Sequence, residues 1–155
     1  MAAEPWASSP ATRLIMQRNR CRDTAPELAL RRAVHSLGLR YRVAARPLPD
    51  CRRTADLVFS RARVAVFLDG CFWHGCELHF KPPRTNVDFW VRKIKGNRLR
   101  DRQTDELLEE RGWVVVRVWE HEDPKAVAGP LAMLVRSRAA SNSRRPQAPR
   151  SPKSA

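Results

Sequence analysis

The stretch ADLVFSRARVAVFLDG, residues 55–70, restricts the possible fold more than any other part of the chain. Its two β-rich runs, 57–60 and 63–68, flank a short turn and read as a hairpin. The second run is apolar at nearly every position. A strand wetted on one side alternates, so this one belongs at the centre of a sheet covered on both faces. With the turn centred on Arg61 and Ala62, Asp56 lies opposite Phe67. Asp69, two positions further, shares that face because side chains repeat every second residue. Diagonal neighbours about 7–8 Å apart can share one divalent cation between inward-leaning carboxylates. The alternative is a pair of strand-end aspartates facing water.

The elements around this hairpin follow from local signals. RDTAPELALRRAVHSLGLRY opens a helix with Thr24 as N-cap, Pro26 in the first turn and Glu27 in a capping-box position. Gly38 is its stop. RYRVAARPLPDCRRTA is a strand running into a Pro-bearing loop. VDFWVRKIKGNRLRDRQTDELLEERG has long helical character, with Gly96 as a weak point and Gly112 as stop, and WVVVRVWEHE is another strand. A short helix follows around Leu131 to Val135. The order α-β-β-β-α-β indicates an α/β or α+β chain with a small mixed β-sheet flanked by helices. Residues 1–12 are expected to be disordered, 13–136 to form one domain, and 137–155, rich in Ser, Arg, Ala and Pro, to be a disordered basic tail.

Thirty Lys and Arg stand against 16 Asp and Glu, a formal net charge of +14. Part of the excess lies in the tail, but the body is basic without it. Such a field attracts polyanions and favours nucleic acid over small acidic substrates. No apolar run approaches the ~20 residues of a membrane span. The N-terminus MAAEPWASSP lacks the pattern of a signal peptide. Four cysteines in an unexported chain are then thiols or metal ligands rather than disulfides, and the expected compartment is the cytoplasm.

DGCFWHGCELHF, residues 69–80, holds most of the remaining chemistry. Cys71, Cys76 and His79, with His121 after the last strand, supply two thiolates and two imidazoles, the donor set of a closed structural zinc site. His74 falls outside that set. An imidazole beside a metal-bound phosphate can act as general acid or base; it can equally replace His79 on zinc. Cys21 and Cys51 lack histidine neighbours and read as ordinary thiols. Phe72, Trp73 and Trp90 are candidates for wedging between base steps, whereas Phe89, Trp113 and Trp119 read as core and Trp6 is uninformative. Lys93, Asn97, Arg98 and Arg100 are candidate DNA contacts that position without reading sequence.

TAPELALRRAVHSLGLRYRV, ADLVF, VAVFLDGCFWHGC, PRTNVDFWVRKIKGNRLRD and GWVVVRVWEHE, in this order, give the chain a resemblance to the very short patch repair endonucleases over about residues 13–122. The resemblance implies a restriction-endonuclease-like α/β core with a structural zinc site. The implied activity is a Mg²⁺-dependent nick in double-stranded DNA, 5′ to the thymine of a T:G mismatch left by deamination of 5-methylcytosine. By position, Asp56 resembles the family's metal-binding aspartate, Leu68 the backbone carbonyl that completes the metal site, and His74 the catalytic histidine. Glu27 matches an acidic residue approaching the active site. Phe72, Trp73 and Trp90 resemble the wedge, and Cys71, Cys76, His79 and His121 the zinc ligands.

There are departures from the family pattern. Asp69 stands where the best-known members have a second histidine, which adds Asp69 to Asp56 and Leu68 as an expected Mg²⁺ ligand. Ala55 replaces a proline, DCRRT enlarges the preceding loop, and His79 is shifted in spacing. The resemblance further implies a functional link to a cytosine-5 DNA methyltransferase and a monomer. Two other readings share the charge and the aromatic rings: a nuclease of the same fold without mismatch preference, and a non-catalytic, zinc-stabilised DNA-binding module.

Overall fold

The computed structural model describes residues 10–11 and 22–144; Trp6, Cys21 and the segment 145–155 lie outside the described residues. In chain order the elements are α1 (Ala25–Ser36), β1 (Arg42–Ala45), β2 (Ala55–Phe59), β3 (Val64–Asp69), α2 (Val87–Glu110), β4 (Val114–Trp119) and α3 (Pro124–Ser143). The strands form one sheet in the order β1-β2-β3-β4. β1, β2 and β3 are successively antiparallel, whereas β4 runs parallel to β3. The result is an α/β fold with a mixed sheet, as the element order predicts.

The hairpin register matches the sequence expectation. Leu57 pairs with Val66, Val58 with Ala65 and Phe59 with Val64, which continues to Asp56 opposite Phe67. β3 is buried at every position but Leu68. One sheet face carries Leu57, Phe59, Val64, Val66 and Val118 against Leu30 and Val34 of α1 and Leu131, Ala132 and Val135 of α3. The other carries Val58, Ala65 and Phe67 against Leu108 of α2 and Trp113. Asp56 and Asp69 therefore sit at one end of the face that α2 covers.

Three local expectations are corrected. Thr24 is the N-cap of α1, but its side chain makes no capping hydrogen bond. The Glu27 carboxylate instead accepts the Asp23 N–H at 2.8 Å and pairs with Arg31 at 3.0 Å, because the guanidinium one turn along competes for it. α2 passes through Gly96 without interruption. The short helix around Leu131 to Val135 is in fact twenty residues long, and residues 137–143, expected in the tail, belong to it. The reason is long-range: Arg138 donates to the Ala62 and Gly112 carbonyls and Asn142 to that of Arg61. The two turns at this end of the sheet thus find partners on a segment whose apolar contribution to the core is Ala139.

Among the described residues no helix is long and apolar enough to cross a membrane.

Candidate active site and thiolate–imidazole cluster

The loop after β3 divides the chemistry of DGCFWHGCELHF between two places. Cys71, Cys76, His79 and His121 bring one ligand atom each to within 4.8 Å of one another, and Asp69, His74 and Asp101 form a second such group. Thus His79 lies with the thiols and His74 with carboxylates. The loop achieves this by a tight turn. Gly75 has φ +62, and a Cβ there would stand 3.0 Å from Ile94, so an L-residue is strained on both counts.

In the first group Cys71 Sγ lies 3.2 Å from His121 Nδ1, and Cys76 Sγ lies 3.7 Å from His79 Nδ1 and 3.8 Å from His121 Nδ1. A tetrahedron with zinc–sulfur and zinc–nitrogen bonds of ordinary length has S···N edges of about 3.5 Å, so these donors fit zinc. Glu120 supports the cluster by accepting the Cys71 N–H at 2.7 Å. Burial, aided by the neighbouring Cys76 and Glu120, pushes the Cys71 thiol up to about 11, so any metal taken here displaces protons. Trp119, expected in the core, is only half-buried and stacks on His121 at 6.3 Å, because it is at the last position of the sheet-edge strand β4.

In the second group Asp69 closes β3, buried, with Oδ1 2.9 Å from Arg117. His74 Nδ1 is 2.7 Å from Asp101 Oδ2 and 3.8 Å from Asp69 Oδ1. A ring held at Nδ1 presents Nε2 as its working atom. Asp56 is not in the 4.8 Å group, but it stands near it: its Oδ2 accepts the Leu68 N–H at 2.7 Å. Burial raises the Asp56 carboxyl above its ordinary 3.8. The Leu68 N–H opposes that shift, and the charges of Glu27 and Asp69 add to it. Asp69 is likewise raised by burial, against the pull of Arg117 and His74. Glu27 is buried and its charge reaches Asp56. A half-buried and a buried carboxylate that repel each other are a donor set that a divalent cation satisfies.

A stability prediction follows from the raised Asp56. A carboxyl with a folded pKa above its unfolded one contributes stability fully present below the unfolded value and lost as pH rises through the folded value. In metal-free buffer with chelator, Asp56→Asn keeps the acceptor for Leu68 and removes the buried charge. Its melting temperature should exceed wild type at pH 7, with the gain shrinking as pH falls towards 3.8. Thermal unfolding at several pH values checks this, and an equal or lower value at pH 7 would contradict it.

A cavity of ≈ 270 Å³ adjoins His74, lined by Arg53, Trp73, Lys93, Asn97, Arg100 and Asp101. Lys93 and Arg100 thus face a common space. Asn97 and Arg98 do something else in this structure. Asn97 donates to the Trp73 carbonyl at 2.9 Å and Arg98 to that of His74 at 2.9 Å. They hold loop carbonyls that no strand pairs. The aromatic expectation is reversed at two positions: Trp90 is only 5% exposed, whereas Phe89 is half-buried. Trp90 lies under Phe72, Trp73 and Phe89 at ring separations of 5.2, 5.8 and 5.2 Å. It is the floor of the cluster, and Phe72 and Trp73 are the rings within reach of a partner. Trp113 is buried as expected, and Cys51 is a buried free thiol.

Sequence reading missed Asp101, Arg117, Arg53 and Glu120. A signal existed for two of them. Asn97, Asp101 and Asp105 follow one another at four-residue spacing on α2, and Arg117 is the lone charge in the run VVVRVW.

The family model described as DNA mismatch endonuclease Vsr matches residues 8–79. The type II nicking enzyme V.NaeI of Lentzea aerocolonigenes is 46% identical over 110 residues, covering 70% of this chain and 66% of that protein. The type II nicking enzyme V.XorIIP of Xanthomonas oryzae pv. oryzae is 40% identical over 112 residues, covering 71% of this chain and 79% of that protein. The DNA mismatch endonuclease Vsr of Escherichia coli K12 is 43% identical over 101 residues, covering 64% and 62%.

Proposed function

The chain belongs to the DNA mismatch endonuclease Vsr family and is a DNA endonuclease, and from that premise we propose that it nicks one strand of duplex DNA 5′ to the thymine of a T:G mismatch. The observation that carries this reading is the pairing of Asp69 with His74, with Asp56 bonded to the adjacent Leu68, near a cavity lined by His74, Arg53, Lys93 and Arg100. A phosphodiester needs positive charge on the backbone and a proton-transfer group at the scissile bond. The mixed sheet supports a restriction-endonuclease-like core. Cytoplasmic action as a monomer, alongside a cytosine-5 DNA methyltransferase, belongs to the same proposal.

In this reading Asp56, Asp69 and the Leu68 carbonyl hold Mg²⁺, which when bound supplies Lewis-acid polarisation of the phosphate. His74, held at Nδ1 by Asp101, moves a proton at Nε2. Glu27 adds negative charge behind Asp56. Lys93, Arg100 and Arg53 neutralise the phosphates, and Asn97 and Arg98 shape the loop that carries His74. Phe72 and Trp73, backed by Trp90, enter the duplex beside the mismatch, where opening a step costs less than at a paired one. Cys71, Cys76, His79 and His121 hold a structural Zn²⁺ that ties this loop to the end of β4.

The test is one nicking assay on duplexes differing only in T:G against T:A, with and without Mg²⁺. The expected result is cleavage of the thymine strand of T:G alone, dependent on the ion. Equal cleavage of both duplexes favours a second reading, a nickase without mismatch preference. That reading draws on Asp69 in place of the family histidine and on relatives described as type II nicking enzymes. Binding without cleavage would leave only the zinc-stabilised DNA-binding module.

A further inference from the structure

Arg117 is the one charged residue of β4, and the reading above assigns it no role. β4 pairs in parallel with β3 so that Arg117 lies beside Phe67, on the sheet face that also carries Asp69. Its guanidinium lies over the Phe67 ring, 4.7 Å from the centroid. From that flat apolar floor it reaches three carboxylates. One terminal nitrogen meets Asp69 Oδ1 at 2.9 Å. Nε and the other terminal nitrogen meet Asp105 at 3.0 and 2.8 Å. The latter nitrogen also lies 3.6 Å from Asp101 Oδ1 and donates to the Asp101 carbonyl at 3.4 Å.

Two of these three carboxylates are the ones that flank His74. Asp69 comes from β3, whereas Asp101 comes from α2, so their separation is set by how the helix sits on the sheet. Apolar packing alone allows sliding, because dispersion contacts are not directional. A planar guanidinium with all its nitrogens engaged does set a direction. It also offsets charge among three aspartates that would otherwise repel one another across the site.

We propose that Arg117 is a positioning residue, which fixes Asp69 and Asp101 on either side of His74 and thereby sets the aim of the imidazole. The proposal rests on the reading of His74 as the proton-transfer group. Arg117 itself touches no reacting atom, since its nitrogens are committed beneath the site.

The test uses the full chain, with ¹⁵N-labelled histidines, as wild type, Arg117→Gln, Arg117→Lys and Asp105→Asn. Without metal or DNA, the His74 ring signals should shift or broaden in Arg117→Gln, while those of His35, remote on α1, stay in place. In the nicking assay kcat should fall about 10- to 100-fold, as misplacement by an ångström does, with KM for duplex within about twofold. Arg117→Lys should recover part of kcat, because an ammonium cannot serve three carboxylates at once. Asp105→Asn keeps the guanidinium and removes its outer anchor, so its loss should be smaller and in the same direction; it carries the test if Arg117→Gln fails to fold. An unmoved His74 signal in a folded Arg117→Gln protein overturns the proposal, as does a rise in KM at constant kcat, which would make Arg117 a DNA contact. If wild type nicks no duplex, the functional reading fails, and the metal-free spectra still decide whether Arg117 positions His74.

Discussion

Asp56→Ala is expected to abolish strand nicking, a fall of about a thousandfold or more, while duplex binding persists. The size follows from the role proposed for the carboxylate. Metal-assisted stabilisation of a developing phosphorane charge is worth several kcal/mol, and each ~1.4 kcal/mol is a factor of ten in rate. Binding should survive because Asp56 lies at the start of β2, not among the cations lining the cavity. Removing its negative charge also lowers repulsion towards phosphate. The measurement is single-turnover nicking beside a binding titration in Ca²⁺, on the duplex that wild type cleaves. Residual cleavage within tenfold of wild type would remove Asp56 from the metal site and leave the ion to Asp69, His74 and Asp101, whose ligand atoms lie within 4.8 Å of one another. The contrast with Asp56→Asn is informative. The same charge that makes the folded protein less stable at neutral pH is the one that chemistry needs, so the two variants should lose activity together while Asn gains thermal stability.

Cys76→Ser should produce the largest loss of stability. Cys76 is buried, and its sulfur stands within 3.8 Å of both His79 and His121, so it bridges the loop after β3 to the residues after β4. A ligand bound only by the folded state, at a thousand times its Kd, stabilises by about 4 kcal/mol. For a domain of this size that is roughly 10–15 °C in melting temperature. Wild type should carry close to one zinc per chain by atomic emission, and chelator should lower its melting temperature towards that of Cys76→Ser. In the variant chelator should have almost no further effect. A wild type free of zinc, or a variant that melts with it, would reduce the cluster to buried thiols beside stacked imidazoles. With burial holding the Cys71 thiol at about 11, the stabilisation by zinc should also weaken as the solution is acidified.

Failure at the two positions would look different. Loss of Asp56 leaves a stable protein that binds and does not cut. Loss of Cys76 frees the loop bearing Phe72, Trp73 and His74, so binding, cutting and stability decline together.

Much of this molecule was legible in its sequence because much of it is local. The hairpin register, with Asp56 opposite Phe67 and Asp69 two residues on, follows from a short turn and the two-residue repeat of a strand. The burial of β3 follows from its unbroken apolar run, and three of the four thiol and imidazole donors, Cys71, Cys76 and His79, stand close enough in the chain to be noticed. What only the tertiary structure decided depends on residues distant in sequence. His74 and His79 are five apart on one loop, and the strain-tolerant turn at Gly75 together with the partners Asp101 and Cys76 sends them to opposite sites. Trp90 is buried and Phe89 half-open because of how α2 is rotated against the loop, which helical periodicity near a helix start does not define. α3 continues past Val135 because Arg138 and Asn142 find carbonyls on the β2–β3 turn, 76 and 81 residues earlier, too far along the chain for a local pattern to record. Arg117 meets Asp69 across a parallel strand pair 48 residues apart. A parallel pairing needs an intervening crossover, here α2, so no turn announces it and no periodicity records its register.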